Sequence, residues 1–438
     1  MSKPKATNRK ENAQITLAPK LRFPEFRDSK EWTKIQLKVI ADPVLDRASL
    51  DEKNSTLSLS AEQGTVLKGE LFGSKEANEN SERYLKVIRD DFIYNDRATK
   101  ISTYGTIKRL SKHSDGVVAP IYKCFRFHAE ENPAFWEWYF ESGAHNAQVS
   151  SLVNGGARAG RFNISISQFL STSVWHPRES EQQKIADCLE SVEELIAAQT
   201  LKVSALKTHK KGLILQLFPR KGDTQPCLRL PEFRNAGEWK ENLLVNVLRI
   251  TSGKRFKASE YSNTGIRLMQ AENIGYDATK WSENTIYLPE SYADKYSELV
   301  LRDNDIVLAL YGPVSNDELK ISKVRKDDAL SILSQRLVKL EAISNSLCVD
   351  FALQFCRYFI KGYAASISIG IGQPMISLKE LHALSIPLPS LLEQRRIADC
   401  LTSIDSLIIS HTQKLETIKM HKEGLMQLLF PSPNEVNA

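Results

Sequence analysis

The sequence EQQKIADCL at residues 181–189 recurs as EQRRIADCL at residues 393–401, 212 positions later. The similarity extends further: residues 181–219 and 393–431 are identical at 20 of 39 positions, and both copies end in Leu-Phe-Pro. A second block, LRFPEFRDSKEW at residues 21–32, recurs as LRLPEFRNAGEW at residues 228–239 with 8 of 12 positions identical. A period above 200 residues is too long for a solenoid, so it indicates a duplicated unit the size of a domain.

Both copies of the longer repeat have the periodicity of a coiled-coil helix. A 4-3 spacing selects ten positions in each copy, and eight of the ten are apolar. The polar exceptions fall at matching positions, Gln199 with His411 and Lys210 with Lys422. Polar residues in a seam usually fix its register, so we assign His411 no chemistry. The predicted apolar seam residues are Ile185, Leu189, Val192, Ile196, Val203, Leu206, Ile397, Leu401, Ile404, Ile408, Leu415 and Ile418.

Each helix is about 38 residues, or roughly 57 Å, long at ~1.5 Å per residue. Pro219 and Pro431 are expected to end the helices. Ser180 with Gln183, and Ser390 with Glu393, predict capping boxes at their starts. Neither helix can bury its apolar stripe alone, so the simplest arrangement packs one against the other. The alternative is two unrelated amphipathic helices in separate cores.

The segments between the repeats, residues 33–160 and 240–370, have similar lengths but little sequence in common. They are predicted to be mixed α/β: each has strand-like stretches, then an aromatic helical run and a glycine-rich turn. The predicted strands are 84–88, 92–94, 121–127, 306–310 and 337–340, the helical runs are 133–141 and 349–360, and short strands are expected at 163–165 and 375–377. Shared ends with different middles indicate one scaffold that carries two different recognition heads.

Composition excludes several classes of protein. The chain has 438 residues, 42% of them hydrophobic and 26% charged, which suits a soluble protein with more than one domain. It has no apolar run of about 18 residues and no signal peptide, so we expect a cytoplasmic protein. The formal charge is +6, but residues 1–20 hold five basic side chains and one acidic one. The remainder is close to neutral, so net charge alone does not indicate nucleic-acid binding.

Enzyme signatures are missing from the sequence. It has no Walker A, HExxH or GxSxG motif, and its six cysteines lack the spacing of a zinc site. We therefore expect no catalytic residues, no metal site and no bound cofactor. The chain is predicted to be a binding protein.

The order of these blocks resembles the specificity (S) subunit of type I restriction–modification systems. The resemblance runs from Leu21 to Pro431 and depends on the LRFPEF/LRLPEF blocks, the prolines before each Glu-Gln pair and the two repeated helices. It implies an α+β fold in which two mixed α/β target-recognition domains are separated by a long antiparallel coiled coil. Each domain would read one half of a bipartite DNA site.

The resemblance also implies partners. Methyltransferase subunits, expected to be two, would dock on the coiled coil, bind S-adenosylmethionine and methylate adenine, and restriction/translocase subunits would complete the complex. The predicted domains are a disordered basic tail (1–20), recognition domain 1 (21–178), the first helix (179–219), a linker (220–227), recognition domain 2 (228–390), the second helix (391–431) and a tail (432–438).

Candidate DNA contacts are cationic, aromatic or amide side chains beside glycine-containing turns. For any one of them, the competing interpretation is an ordinary solvated surface residue. The candidates are Arg97, Lys100, Tyr104, Lys108, Arg158 and Arg161 in the first head, and Lys254, Arg255, Lys257, Tyr311, Arg336 and Gln373 in the second.

Two alternatives stay open. The chain could be a coiled-coil adaptor whose heads bind proteins rather than DNA, which its near-neutral folded part slightly favours. It could also read DNA for a modification enzyme outside the type I class. DNA binding must weaken steeply with salt as counterions are released, whereas binding to a protein need not.

Overall fold

The computed structural model describes residues 15–48, 56–67, 83–100, 102–153, 161–220, 222–275, 279–315, 318–328, 330–343, 345–367 and 375–431. The chain divides into two compact units. Unit 1 contains residues 1–199 and 414–438, and unit 2 contains residues 200–413. Each long helix contributes one segment to each unit.

The described residues of unit 1 form three sheets. Their strand orders are β1-β2-β11, β3-β10-β7-β8 and β5-β4-β9-β6, and every pairing is antiparallel except β4 with β9. The strands are β1 (Thr16–Leu17), β2 (Trp32–Gln36), β3 (Ala41–Pro43), β4 (Thr56–Ser60), β5 (Gly64–Leu67), β6 (Leu85–Ile88), β7 (Phe92–Asn95), β8 (Thr106–Arg109), β9 (Asp115–Val118), β10 (Lys123–Phe127) and β11 (Ser173–His176). The helices are α1 (Pro133–Glu141), α2 (Asn146–Leu152), α3 (Ile166–Leu170) and the first part of α4 (Glu179–Leu217), with 3-10 turns at Pro24–Phe26 and Leu37–Val39.

The described residues of unit 2 form four sheets of two to four strands. Their orders are β12-β22, β13-β21-β16-β19, β15-β14-β20 and β17-β18, and only β14 with β20 is parallel. The strands are β12 (Lys240–Leu243), β13 (Leu248–Ser252), β14 (Ile266–Met269), β15 (Tyr287–Leu288), β16 (Ile306–Ala309), β17 (Val314–Ser315), β18 (Glu318–Leu319), β19 (Ile321–Lys323), β20 (Ile332–Leu333), β21 (Leu337–Ala342) and β22 (Ser385–Leu388). The helices are α5 (Tyr292–Lys295), α6 (Val349–Ile367), α7 (Leu378–Ala383) and the first part of α8 (Leu391–Leu429), with 3-10 turns at Pro231–Phe233, Leu244–Asn246, Ala258–Glu260, Ala271–Asn273 and Ser297–Leu299.

The repeated sequence blocks build the same local structure in both units. In unit 1, β2 pairs with β11 so that Thr33 lies opposite His176, and in unit 2, β12 pairs with β22 so that Lys240 lies opposite Leu388. These partners are equivalent positions of the repeat. Each strand pair leads directly into a long helix, so the duplicated sequence forms the joint between a head and its helix.

The two long helices are antiparallel. In unit 2, Lys210 Nζ of α4 donates to Asp405 Oδ1 of α8 at 2.6 Å, while Leu217 of α4 shares a core with the earlier residue Ile397 of α8. In unit 1, Lys422 Nζ of α8 donates to Glu193 Oε2 of α4, also at 2.6 Å. The predicted apolar seam positions are all buried or half-buried in the helices.

The end of each long helix lies in a head's aromatic core. Phe430, after α8, packs with Trp32 and Phe135 in unit 1 at ring-centroid distances of 6.4 and 5.6 Å. Phe218, after α4, packs in unit 2 with Trp239 and Phe351 at 6.2 and 5.1 Å. The aromatic run at 133–141 forms α1 and is largely buried, so its rings belong to the core.

Three predictions about local structure were wrong. Part of the predicted disordered tail at residues 1–20 is ordered, because Thr16–Leu17 pairs with β2; residues 1–14 lie outside the described part of the chain, as does the predicted tail at 432–438. The short strands expected at 163–165 and 375–377 are instead lead-ins to helices α3 and α7. Ser180 lies inside α4, which begins at Glu179, and is not its cap.

The reason for the two short-strand errors is local hydrogen bonding. Ser165 with Gln168, and Ser377 with Glu380, form true capping boxes, in which each side chain satisfies the other residue's backbone N–H. A serine followed three residues later by Gln or Glu favours a helix start over a strand. At the start of α8 the prediction was half right, because Ser390 Oγ accepts from the Glu393 N–H at 3.3 Å.

Candidate nucleic-acid interface

In unit 1, the structure brings two predicted arginines together. Arg97 and Arg161 are partners in an antiparallel β-bridge. The Arg161 guanidinium lies 3.6 Å from the carboxylate of Asp96, whose side chain is 1% exposed. Lys123 Nζ donates to the other oxygen of that carboxylate at 2.7 Å. Arg161 is thus held in place by a buried acid, whereas Arg97 is exposed and available to a ligand.

The loop between β7 and β8 presents the other unit 1 candidates. At Gly105 φ is +90°, and a Cβ there would lie 2.4 Å from the Asn95 carbonyl oxygen, so the turn requires glycine. Tyr94 Oη donates to the Tyr104 carbonyl oxygen at 3.1 Å and holds the loop against β7. Lys100 is exposed on this loop.

Lys108 is the weakest candidate in unit 1. Its ammonium group forms an ion pair with Glu141 at the end of α1. A lysine that is already paired gains less binding free energy from a phosphate, because its ion pair with the carboxylate must first be broken. Arg158 lies outside the described residues, so its predicted role stays a prediction.

In unit 2, Lys254 lies in an aromatic and cationic cluster. Its Nζ is 4.3 Å from the centroid of the Tyr296 ring and 3.2 Å from the Tyr296 hydroxyl. Lys295 Nζ lies over the rings of Tyr292 and Tyr296 at 5.3 and 5.4 Å. We call the set Lys254, Arg255, Lys257, Tyr292, Lys295 and Tyr296 the tyrosine–lysine patch.

The backbone beneath this patch is tightly packed. Lys254 bridges to Ser334, and a Cβ on the preceding Gly253 would lie 1.8 Å from the Ser334 carbonyl oxygen. Only glycine permits this close approach of the backbone to Ser334. The approach places Lys254 at the edge of the sheet that contains β20.

The patch carries four cationic side chains, Lys254, Arg255, Lys257 and Lys295. The hydrogen bond from Lys254 lowers the pKa of Tyr296 below its ordinary value. The acid at its margin is already engaged: Glu260 accepts hydrogen bonds from the Lys257 backbone N–H at 2.7 Å and from the Tyr292 hydroxyl at 3.2 Å. The first of these bonds is the main reason that the pKa of Glu260 is lowered. Exposed cations beside aromatic rings suit phosphate contacts and base contacts alike.

Tyr311 and Arg336 form a second cationic and aromatic pair in unit 2. The Arg336 guanidinium lies 5.1 Å from the Tyr311 ring centroid, and the Tyr311 ring is 44% exposed. Arg336 has φ of +67°, an unusual value for arginine, and its carbonyl oxygen accepts from the Leu310 N–H at 2.8 Å. Gln373 lies outside the described residues.

Sequence reasoning missed Tyr292, Lys295 and Tyr296. A usable signal was present, because YADKY places two tyrosines four residues apart, on one face of a helical turn. The contact of Tyr296 with Lys254 could not be predicted, since it joins segments 42 residues apart.

The described part of the chain contains neither a metal-ligand cluster nor a disulfide. No group of three or more His, Cys, Asp and Glu side chains there could hold a metal ion. All six cysteines are free. None of the described helices is both long enough and apolar enough to cross a bilayer.

Comparison with known proteins identifies the kind of domain. Residues 236–420 match the family described as the type I restriction modification DNA specificity domain. The chain is 34% identical over 259 residues to the type I restriction enzyme MjaVIII specificity subunit of Methanocaldococcus jannaschii, a match covering 58% of this chain and 60% of that subunit. It is 27% identical over 233 residues to the EcoAI specificity subunit of Escherichia coli, covering 53% of this chain and 37% of that one.

Solved structures agree in fold. A crystal structure of the S subunit of a type I restriction–modification system from M. genitalium aligns with a TM-score of 0.55 at 16% identity, covering 95% of this chain and all of that one. A chain from a study of type I R-M complex assembly aligns with a TM-score of 0.54 at 18% identity, covering 92% of this chain and 98% of that one. Residues 236–420 are therefore similar to the type I restriction modification DNA specificity domain, and the chain, which spans about 60% of the length of the MjaVIII subunit, resembles type I specificity subunits as the sequence predicted.

Proposed function

We propose that this chain is a DNA specificity subunit that reads a bipartite, asymmetric target with two recognition domains. The observation that carries the proposal is the duplicated joint between head and helix. The same strand pair and the same long helix support two heads whose sheets differ in number, order and sequence. A duplicated scaffold with unlike heads suits a target made of two unlike halves.

In this proposal the antiparallel helices act as the spacer between the recognition domains. An α-helix of 39 residues is about 58 Å long at ~1.5 Å per residue. Half-sites read from the same face of DNA lie about 34–36 Å apart, a separation within that length. The distance between half-sites would then be a property of the helix pair and not of either head.

The partners are part of the proposal. The chain would direct methyltransferase subunits to adenines in the target, and restriction/translocase subunits would join the same complex. S-adenosylmethionine would bind to the methyltransferase. This chain would contribute recognition and would catalyse no step itself.

The salt dependence of DNA binding tests the DNA-reading part of the proposal. With the complex of this chain and its methyltransferase, log Kd for duplex DNA should rise linearly with log salt, by about 0.9 per phosphate contacted. Replacing both Lys254 and Lys295 by alanine should lower that slope by about one to two units, whereas Lys419→Ala should leave it unchanged. Lys419 is a matched control, since it is an exposed lysine of α8 paired with Glu416. Affinity independent of salt would favour the protein-adaptor alternative.

A further inference from the structure

Asp405 on α8 is the centre of a half-buried polar cluster in unit 2. Its Oδ1 accepts from Lys210 Nζ of α4 at 2.6 Å. Its Oδ2 accepts from Gln354 Nε2 at 2.7 Å and lies 3.3 Å from Arg357 Nη1, both on α6. The side chains of Lys210, Arg357 and Asp405 are only 13–15% exposed. One carboxylate therefore joins both long helices to the recognition domain.

The equivalent position in unit 1 has a different environment. Glu193 of α4 is the repeat partner of Asp405, and it also binds the lysine of the opposite helix, Lys422. Its side chain is 49% exposed. In this unit the lysine makes the contact with the head, because Lys422 Nζ lies 4.4 Å from the ring centroid of Trp138 on α1. The two heads are thus attached through opposite members of equivalent ion pairs: through the acid, Asp405, in unit 2 and through the lysine, Lys422, in unit 1.

Apolar packing also joins α6 to the end of α4. Phe351 and Phe355 pack on Phe218 at centroid distances of 5.1 and 5.9 Å. Apolar packing is strong but largely non-directional, so it permits small rotations of α6. Hydrogen bonds to a fixed carboxylate are directional, and half-buried polar groups in helix seams more often specify geometry than add stability.

We propose that Asp405 is the positioning residue that sets the orientation of recognition domain 2 on the helix pair, and so sets how strictly the gap between the half-sites is measured. The inference rests on the proposed function. Asp405 itself contacts no DNA in this scheme. It acts through Gln354 and Arg357, which hold α6 and the sheets that α6 supports.

The test is methylation by the complex with the methyltransferase on duplexes whose gap is correct, one base pair longer or one base pair shorter. Asp405→Asn should lower the preference for the correct gap at least about tenfold, the scale expected for losing hydrogen bonds to a charged group. The bases required in each half-site should not change. Asp405→Glu, which keeps the carboxylate, should restore part of the preference.

Two further variants keep the test decisive. Gln354→Leu leaves the Lys210–Asp405 pair intact and should relax the gap in the same direction, even if Asp405→Asn folds poorly. Glu193→Gln removes the equivalent ion pair of unit 1, where the head does not contact the acid, and should keep the wild-type preference.

The outcomes separate the two proposals. If the Asp405→Asn and Gln354→Leu variants prefer the correct gap as strongly as the wild type does, the positioning role is wrong. Altered half-site bases would also overturn it, because they would make Asp405 part of base reading. If the wild-type complex methylates no bipartite site, the proposed function fails, and this inference fails with it.

Discussion

At the scale of single residues, the repeat places an equivalent buried ion pair in each unit. Arg22 binds Glu181 through two hydrogen bonds of 2.7 Å, and its repeat partner Arg229 binds Glu393 through two of 2.8 Å. In both pairs the arginine side chain is 8% exposed and the glutamate 1%. Within each unit, the repeated LRxPEF block therefore binds the repeated Glu-Gln block. This shared contact explains why both blocks are similar in the two halves of the chain. The sequence predicted both blocks but not this contact, whose partners are more than 150 residues apart.

We expect Arg229→Met to destabilise unit 2 by about 3–5 kcal/mol, because it leaves the Glu393 charge buried without its partner. Arg396→Ala is the control, since its ion pair with Glu232 is 3.9 Å long and its side chain is 62% exposed. That substitution should cost less than about 1 kcal/mol. Chemical denaturation measures both, and equal costs would contradict this interpretation.

His145 predicts a pH dependence for unit 1. The ring is buried against Phe140 and Phe169 and meets the Thr172 hydroxyl at 3.1 Å. Burial lowers its pKa to about 3 in the folded protein, from an ordinary value near 6.5. Below pH 6.5 the unfolded chain binds a proton that the folded chain excludes, so stability falls as the pH decreases from 6.5 toward 3.

His145→Gln should make the stability of unit 1 less sensitive to pH below 6.5. The loss of melting temperature between pH 7.5 and pH 5 should be smaller in the variant than in the wild type. The exposed His128 is a suitable control site, because its ring is 41% exposed. Unchanged sensitivity in His145→Gln would show that other groups control the acid response.

At the scale of elements, periodicity predicted both long helices, and local composition predicted part of each head. The strands expected at 92–94 and 306–310, and the helix at 133–141, match β7, β16 and α1 to within one residue. The long helices were predictable because a 4-3 spacing of apolar residues that continues over ten positions is typical of a coiled-coil helix. The errors fell on short segments, where a capping serine and not periodicity decides the structure.

Charge explains why the long helices run in opposite directions. Residues 179–197 of α4 hold six acidic and one basic side chain, whereas residues 198–217 hold four lysines and no acid. Antiparallel packing brings Glu193 to Lys422 and Asp405 to Lys210, so unlike charges meet in each unit. Both lysines are the polar seam positions that the sequence predicted to fix the register.

Shortening both helices tests the spacer role. Deleting residues 196–209 and 406–419 removes two heptads from each helix and retains all four residues of the two ion pairs. The fold should survive, and the gap in the methylated motif should shrink by several base pairs, or about 6 if the full ~21 Å is lost. A variant that folds, supports methylation and keeps the original gap would show that helix length does not set the distance between the half-sites.

At the scale of the whole molecule, the sequence predicted two heads on one scaffold but only part of the interface. Repetition is visible in a single sequence, so the scaffold could be inferred from it. The candidate interface depends on long-range proximity, as between Lys254 and Tyr296, and on which cations are already paired, as Lys108 is with Glu141. Neither property has a local sequence signal.

Modularity makes a further prediction. Replacing residues 33–160 with the corresponding segment of another specificity subunit should change one half of the target and leave the other half and the gap unchanged. The reason is that recognition domain 2 and both long helices remain intact. Mapping the methylated sites of the hybrid checks this, and changes in both halves would contradict the modular interpretation.

The central claim is tested most directly by mapping methylated adenines in DNA from cells that co-express this chain with its methyltransferase. We predict one bipartite motif with two unlike halves and a fixed gap, absent when this chain is omitted. Methylation without such a motif, or a motif that persists without this chain, would contradict the account.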